Sequence, residues 1–118
     1  MFRKMSDTEA AWLGAMIDGE GYVSATERRS PTYSRRGVGV GKAYPVFRIG
    51  VSNTNIELLS ACLRVTSLGT IYLMQSPGDG LATQHCWMWS VSKNADVRAV
   101  AERIAPFSLK AQDFLADR

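Results

Sequence analysis

The stretch LGAMIDGEG, residues 13–21, sets two carboxylates between glycines where an amphipathic helix runs out. A helix C-terminus carries partial negative charge from its unpaired carbonyls and prefers cations. Asp18 and Glu20 are therefore unfavourable there unless something positive answers them. Two answers suit the chemistry: a capping contact for one acid and a divalent cation, which takes oxygen ligands, for the other. Upstream, Ser6-Asp7-Thr8-Glu9 is a capping box, with Ser6 as N-cap and Glu9 reaching back. The helix is expected over about 7–18, with Gly19 and Gly21 ending it. Ala10, Ala11, Gly14 and Ala15 recur at four-residue spacing and form a narrow seam along which another helix could come close.

Downstream, residues 22–30 alternate. Val23 and Ala25 face one way; Tyr22, Ser24, Thr26 and Arg28 face the other. A Ser/Pro/Gly-rich stretch, SPTYSRRGVGVGK at 30–42, reads as a long connection. Its GVGVG is no phosphate loop, because the closing Gly-Lys-Ser/Thr is missing. Alternation resumes at 44–52, with Phe47, Ile49 and Val51 against Tyr44, Arg48, Gly50 and Ser52. Strands with one apolar and one hydrogen-bonding side predict an antiparallel sheet covered by helices on one face.

A second capping box, Thr54-Asn55-Ile56-Glu57, opens a helix with Ile56, Leu59 and Leu63 on one stripe and Gly69 beyond its end. Strands at 71–75 and 83–92 flank the turn Ser76-Pro77-Gly78-Asp79-Gly80. Trp87 and Trp89 share a parity in the latter strand and are expected in the core. Asn94 is expected to cap a third helix, with Val97, Val100, Ala101 and Ile104 inward and Pro106 stopping it. A last helix covers about 109–117. The expected fold class is α+β, in the order α-β-β-α-β-β-α-α, with residues 1–118 as one domain.

The charge is unevenly spread. Arg28, Arg29, Arg35, Arg36, Lys42 and Arg48 lie in residues 28–48 with no acid among them, whereas the overall net charge is only +3. A basic cluster with Tyr33 and Tyr44 interleaved is the footprint of a polyanion-binding surface, nucleic acid above all. One histidine and two separated cysteines, Cys62 and Cys86, exclude an ordinary zinc site and a disulfide framework. With no long apolar run and no signal-peptide pattern, neither membrane insertion nor secretion is expected. Cys62 and Cys86, each in an apolar segment, are expected to be reduced core cysteines in a reducing compartment, a cytoplasm or an organelle.

The nonapeptide resembles the signature of LAGLIDADG homing endonucleases. Gly14 and Ala15 swap that family's small pair, and Glu20 stands where an aspartate is usual. Three further segments resemble the family in order: Val51-Ser52-Asn53-Thr54 before a helix, Leu68-Gly69-Thr70-Ile71-Tyr72 leading into a strand, and Pro106-Phe107-Ser108-Leu109-Lys110-Ala111-Gln112 near the end. The resemblance implies the αββαββαα fold, with an antiparallel saddle for double-stranded DNA. It implies a homodimer, since only one motif is present, with Ala11, Gly14, Ala15 and Asp18 at the dimer interface.

It further implies Mg²⁺, for which Ca²⁺ or Mn²⁺ can substitute, held by Glu20 and Gly19. Glu20, Asn53 and Lys110 would be catalytic, with Lys93 competing for the lysine's place. DNA would be met by Tyr22, Ser24, Thr26, Arg28, Ser30, Arg35, Arg36, Lys42, Tyr44 and Arg48 of the first hairpin, and by Met74, Ser76 and Met88 of the second. The implied activity is a Mg²⁺-dependent double-strand break at a long, roughly palindromic site, as in intron or intein mobility. The alternative is a non-cleaving DNA-binding relative, an intron maturase or transcription regulator.

Overall fold

In a computed structural model, residues 4–34, 37–78, 80 and 84–116 are described. The first helix, α1 (Asp7–Glu20), begins with the expected reciprocal box between Ser6 and Glu9. It runs through Glu20, and Gly21 is its C-cap. It leads straight into β1 (Gly21–Ser34) and β2 (Gly37–Asn53). Then come α2 (Ile56–Thr66), β3 (Thr70–Gln75), β4 (Cys86–Val91), α3 (Asn94–Ile104), a 3₁₀ turn (Ala105–Phe107) and α4 (Leu109–Ala116). The expected α-β-β-α-β-β-α-α order is present, and the sheet is antiparallel throughout in the order β1-β2-β4-β3.

Register explains the two-sided chemistry of the sheet. Val23 pairs with Ile49, and Ile49 with Val91; Val51 pairs with Trp89, and Trp89 with Ile71. These rows face the helices. Leu13 and Ile17 of α1, Leu59 and Cys62 of α2, and Val97, Val100 and Ile104 of α3 close over them, all fully buried. Each such aliphatic side chain contributes about 1.5–3 kcal/mol by leaving water. Trp89 is fully buried too, and its indole N–H donates to the Leu68 carbonyl at 2.9 Å. The opposite rows, Tyr22–Gly50–Ser90–Thr70 and Ser24–Arg48, lie on the uncovered face.

Three expectations change. The stretch at 30–42 is not a loop: the β1–β2 ladder continues to Ser34 and Gly37, with a register shift between Arg29 and Pro31. Pro31 is tolerated because β1 is an edge strand, where its missing N–H breaks no ladder on the outer side. The second helix is capped by Asn55 rather than Thr54, its side chain accepting the Glu57 N–H at 3.0 Å. The third helix has Lys93 at its N-cap position, with no side-chain cap bond. Asn94 instead accepts the Phe47 N–H and donates to the Pro45 carbonyl, both at 2.9 Å. Its amide imitates a neighbouring strand just beyond Ile49, where pairing with β4 begins. The β1–β2 hairpin past that point is a two-stranded arm.

Candidate active site and nucleic-acid interface

Residues two apart on a helix point about 200° from each other. Asp18 and Glu20 accordingly have different neighbours. Asp18 turns to the start of α4. Its carboxylate accepts the Ser108 hydroxyl at 2.8 Å, the Leu109 N–H at 2.8 Å and the Lys110 N–H at 3.1 Å. Ser108 in turn accepts the Ala111 N–H. An acid misplaced on its own helix thus sits at the positive end of another. Partial burial raises its pKa, but the hydrogen bonds from Leu109, Ser108 and Lys110 and the Lys110 ammonium outweigh that, leaving it below the ordinary aspartate value.

Glu20 turns to the end of β2. Its Oε2 accepts from the Asn53 amide at 2.6 Å. The Asn53 carbonyl oxygen accepts the Asn55 N–H at 2.8 Å, which fixes the amide with its NH₂ towards Glu20. Lys110 reaches back across the same helix end, and its Nζ donates to the Gly21 carbonyl at 2.8 Å. Glu20, Asn53 and Lys110 therefore meet around one helix terminus, from three separate elements. Lys93 lies elsewhere. It follows Val91, which pairs with Ile49, whereas Asn53 pairs with Trp87 six residues earlier, about 20 Å along an extended strand. Gly21 makes the junction tight: a Cβ there would stand 2.6 Å from the Gly50 carbonyl oxygen.

The small-residue seam divides. Ala10 is fully buried, and a Cβ on Gly14 would lie 2.8 Å from the Phe107 carbonyl oxygen, so Gly14 is occupied within the chain. Ala15 is exposed and Ala11 half-buried. Asp18, expected at the dimer contact, is engaged by α4. A Cβ on Gly19 would meet nothing within 4 Å.

The uncovered sheet face begins beside this site. Tyr22 lies over Gly50, where a Cβ would come within 3.0 Å of the phenol oxygen. Ser24 pairs with Arg48, Thr26 with Val46 and Arg28 with Tyr44. Arg28, Ser30, Lys42, Tyr44 and Arg48 are exposed. Arg35 and Arg36 lie outside the described residues. On the second hairpin, Met88 pairs with Ser52 on one side and Tyr72 on the other. Met74 is exposed and Ser76 half-buried. Tyr72, 46% exposed on this face, was missed; the parity it shares with Met74 in the strand at 71–75 was the available signal. Among the described residues, no three His, Cys, Asp or Glu side chains cluster as a metal site. No helix among them is long and apolar enough to cross a membrane.

This helix–hairpin–helix–hairpin architecture, with α1 ending at the sheet's margin, is the LAGLIDADG homing endonuclease fold. I-CvuI, solved with the I-CreI target in the presence of Mg, superposes with a TM-score of 0.56 at 16% identity, over 92% of this chain and 63% of that one. A second I-CvuI structure holds its own target in the presence of Ca. The archaeal intron-encoded I-Vdi141I, complexed with DNA, gives 0.54 at 22% identity, over 92% and 64%. I-LtrWI bound to target DNA gives 0.60 at 12%, over 95% and 35%. The chain thus spans less than two thirds of the length of these proteins. No protein-family model matches the sequence, and no curated protein does.

Proposed function

We propose that this chain is one half of a homodimeric, site-specific DNA endonuclease that hydrolyses one phosphodiester bond per subunit with Mg²⁺. The observation carrying this reading is the meeting of Glu20, Asn53 and Lys110 at the end of α1, beside a basic, uncovered sheet face. The DNA complexes of homing endonucleases with this fold support its DNA-binding part.

The donor set suits a hard cation. Glu20 offers an exposed carboxylate, and Gly19 is among the last residues of the helix, whose carbonyls lack intrahelical donors. Mg²⁺ is commonly held by one or two carboxylates together with substrate phosphates and waters. Such a cation would supply charge neutralisation and an activated water at the scissile phosphate. Ca²⁺ or Mn²⁺ would occupy the same oxygens. Asn53 holds the Glu20 carboxylate in place. Lys110 presents an ammonium beside it, where charge develops on the phosphorane oxygens. Pairing two subunits supplies one such site per DNA strand, which fits a roughly palindromic target. The side of α1 with the exposed Ala15 and Gly19 and the half-buried Ala11 is the surface proposed for that pairing.

The sheet face would lie along the major groove. Tyr22, Ser24, Thr26, Arg28, Ser30, Tyr44 and Arg48 would reach base edges and phosphates, with Lys42 at the arm's edge. Incubating the purified chain with Mg²⁺ and a randomised duplex library should cut both strands of a selected sequence, and Glu20→Gln should abolish cutting while binding persists. Tight binding with no cleavage, unaltered by Glu20→Gln, would instead identify a non-cleaving DNA-binding relative.

A further inference from the structure

The uncovered face of the sheet is chemically divided. Over β1 and β2 it carries hydroxyls and guanidiniums: Ser24, Thr26, Arg28, Tyr44 and Arg48. Over β3 and β4 it opens with the Ser90–Thr70 pair and then turns apolar at Met88, Tyr72 and Met74. Met88 sits between Ser52 and Tyr72 in one cross-strand row. Met88 as a residue is only 9% exposed, yet it is no member of the core cluster, which lies on the other side of the sheet. Tyr72 is 46% exposed and Met74 50%. Met74 occupies the register shift between Leu73 and Gln75, a bulge that re-aims local side chains.

We propose that the exposed Tyr72 and Met74, beside the nearly buried Met88, form a reader of thymine methyl groups, so that the target half-site carries thymines under the second hairpin. The inference rests on the DNA-binding reading above and specifies its substrate. Charge decides the occupant. Arg28 and Arg48, on the same face of the same sheet, form no ion pair with a described residue, so the face as a whole suits a polyanion. A polyanion that also satisfies an apolar patch must present apolar points between its phosphates. In the B-DNA major groove the thymine C5-methyl is that point, and every other base edge offers hydrogen-bond donors or acceptors. Methionine suits the task, because its unbranched, polarisable side chain adapts to irregular apolar surfaces.

The test starts from a site enriched out of a randomised duplex library by the full chain. Each thymine of that site is then replaced singly by deoxyuridine, which removes the methyl and keeps every hydrogen-bonding group. Affinity is read by fluorescence anisotropy. We expect about a fourfold weakening per contacted methyl, confined to one segment of each half-site. Tyr72→Ser and Met74→Ser should bind the thymine site more weakly and lose discrimination against deoxyuridine in that segment.

Deoxyuridine sites bound as tightly as thymine sites would overturn the methyl reader while leaving DNA recognition standing. Failure to enrich any sequence would overturn both. If Tyr72→Ser and Met74→Ser change the sedimentation of the free protein and leave DNA discrimination intact, the patch is a protein contact and the proposal falls.

Discussion

Asn53 holds one carboxylate oxygen of Glu20 at 2.6 Å, and its own carbonyl is held by the Asn55 N–H at 2.8 Å. The amide is therefore fixed before any ligand arrives. Removing a residue that orients a metal-binding group typically costs about 10–100-fold in metal affinity or activity. Asn53→Ala should lower cleavage by about that factor, raise the Mg²⁺ concentration needed for half-maximal rate, and leave DNA affinity in Ca²⁺ within about twofold. Unchanged Mg²⁺ dependence would show that the contact does not prepare the carboxylate.

Asp18 should be the more important of the two acids for stability. It caps α4 from another helix, and loss of such a cap costs about 0.5–2 kcal/mol. Asp18→Ala should lower the urea midpoint by a corresponding amount. The sign of the pH effect follows from its lowered pKa. Its stabilisation is complete above the unfolded value of about 3.9 and is lost as pH falls through the folded value below that. Wild type should therefore lose more stability than Asp18→Ala on acidification below about pH 4. Parallel curves would contradict this.

Gly14 and Gly19 make an internally controlled pair. A methyl on Gly14 meets the Phe107 backbone at 2.8 Å, so Gly14→Ala should destabilise the chain by about 1–3 kcal/mol. A methyl on Gly19 meets nothing within 4 Å among the described residues. Gly19→Ala should raise the stability of the isolated subunit by up to about 1 kcal/mol, through helix propensity. At the proposed pairing surface the same methyl should weaken association, readable by analytical ultracentrifugation. Unchanged association would exclude Gly19 from that contact.

Cys62 is buried in α2, and burial pushes its thiol up to about 12. An unfolded cysteine ionises near 8.5, so stability should decline as pH rises from about 8.5 towards 12. Cys62→Ala should flatten that decline. In the native state a thiol reagent should modify the half-buried Cys86 first, with Cys62 reacting only on unfolding.

What the sequence disclosed was mostly local. The Ser6–Glu9 box, the alternation at 44–52 and the acids at 18 and 20 each announce themselves within a few residues, and the element order followed from them. The missing parts depend on distant partners. Glycines and a proline at 30–42 look like a loop until the ladder across the hairpin supplies their hydrogen bonds. Asn94 looks like a cap until Pro45 and Phe47, almost fifty positions earlier, offer it a better bond. Gly14 looks like a contact for a second helix until Phe107 fills the space. Periodicity shows that a residue is small or polar, but not what stands opposite it.

The Asn94 amide has a consequence for how such a protein could change over time. It closes the outer side of β2 where β4 gives out, so the covered sheet ends cleanly and the hairpin continues beyond it as an appendage. Glu27, Arg28 and Arg29 there are exposed, and the core cluster stops short of them. Under the proposed DNA-cleaving function, substitutions in the arm would therefore trade one target sequence for another at little cost to folding. The tightly joined end of α1 would keep its chemistry meanwhile. Retargeting and cleavage would then be open to separate mutation, in nature or by design.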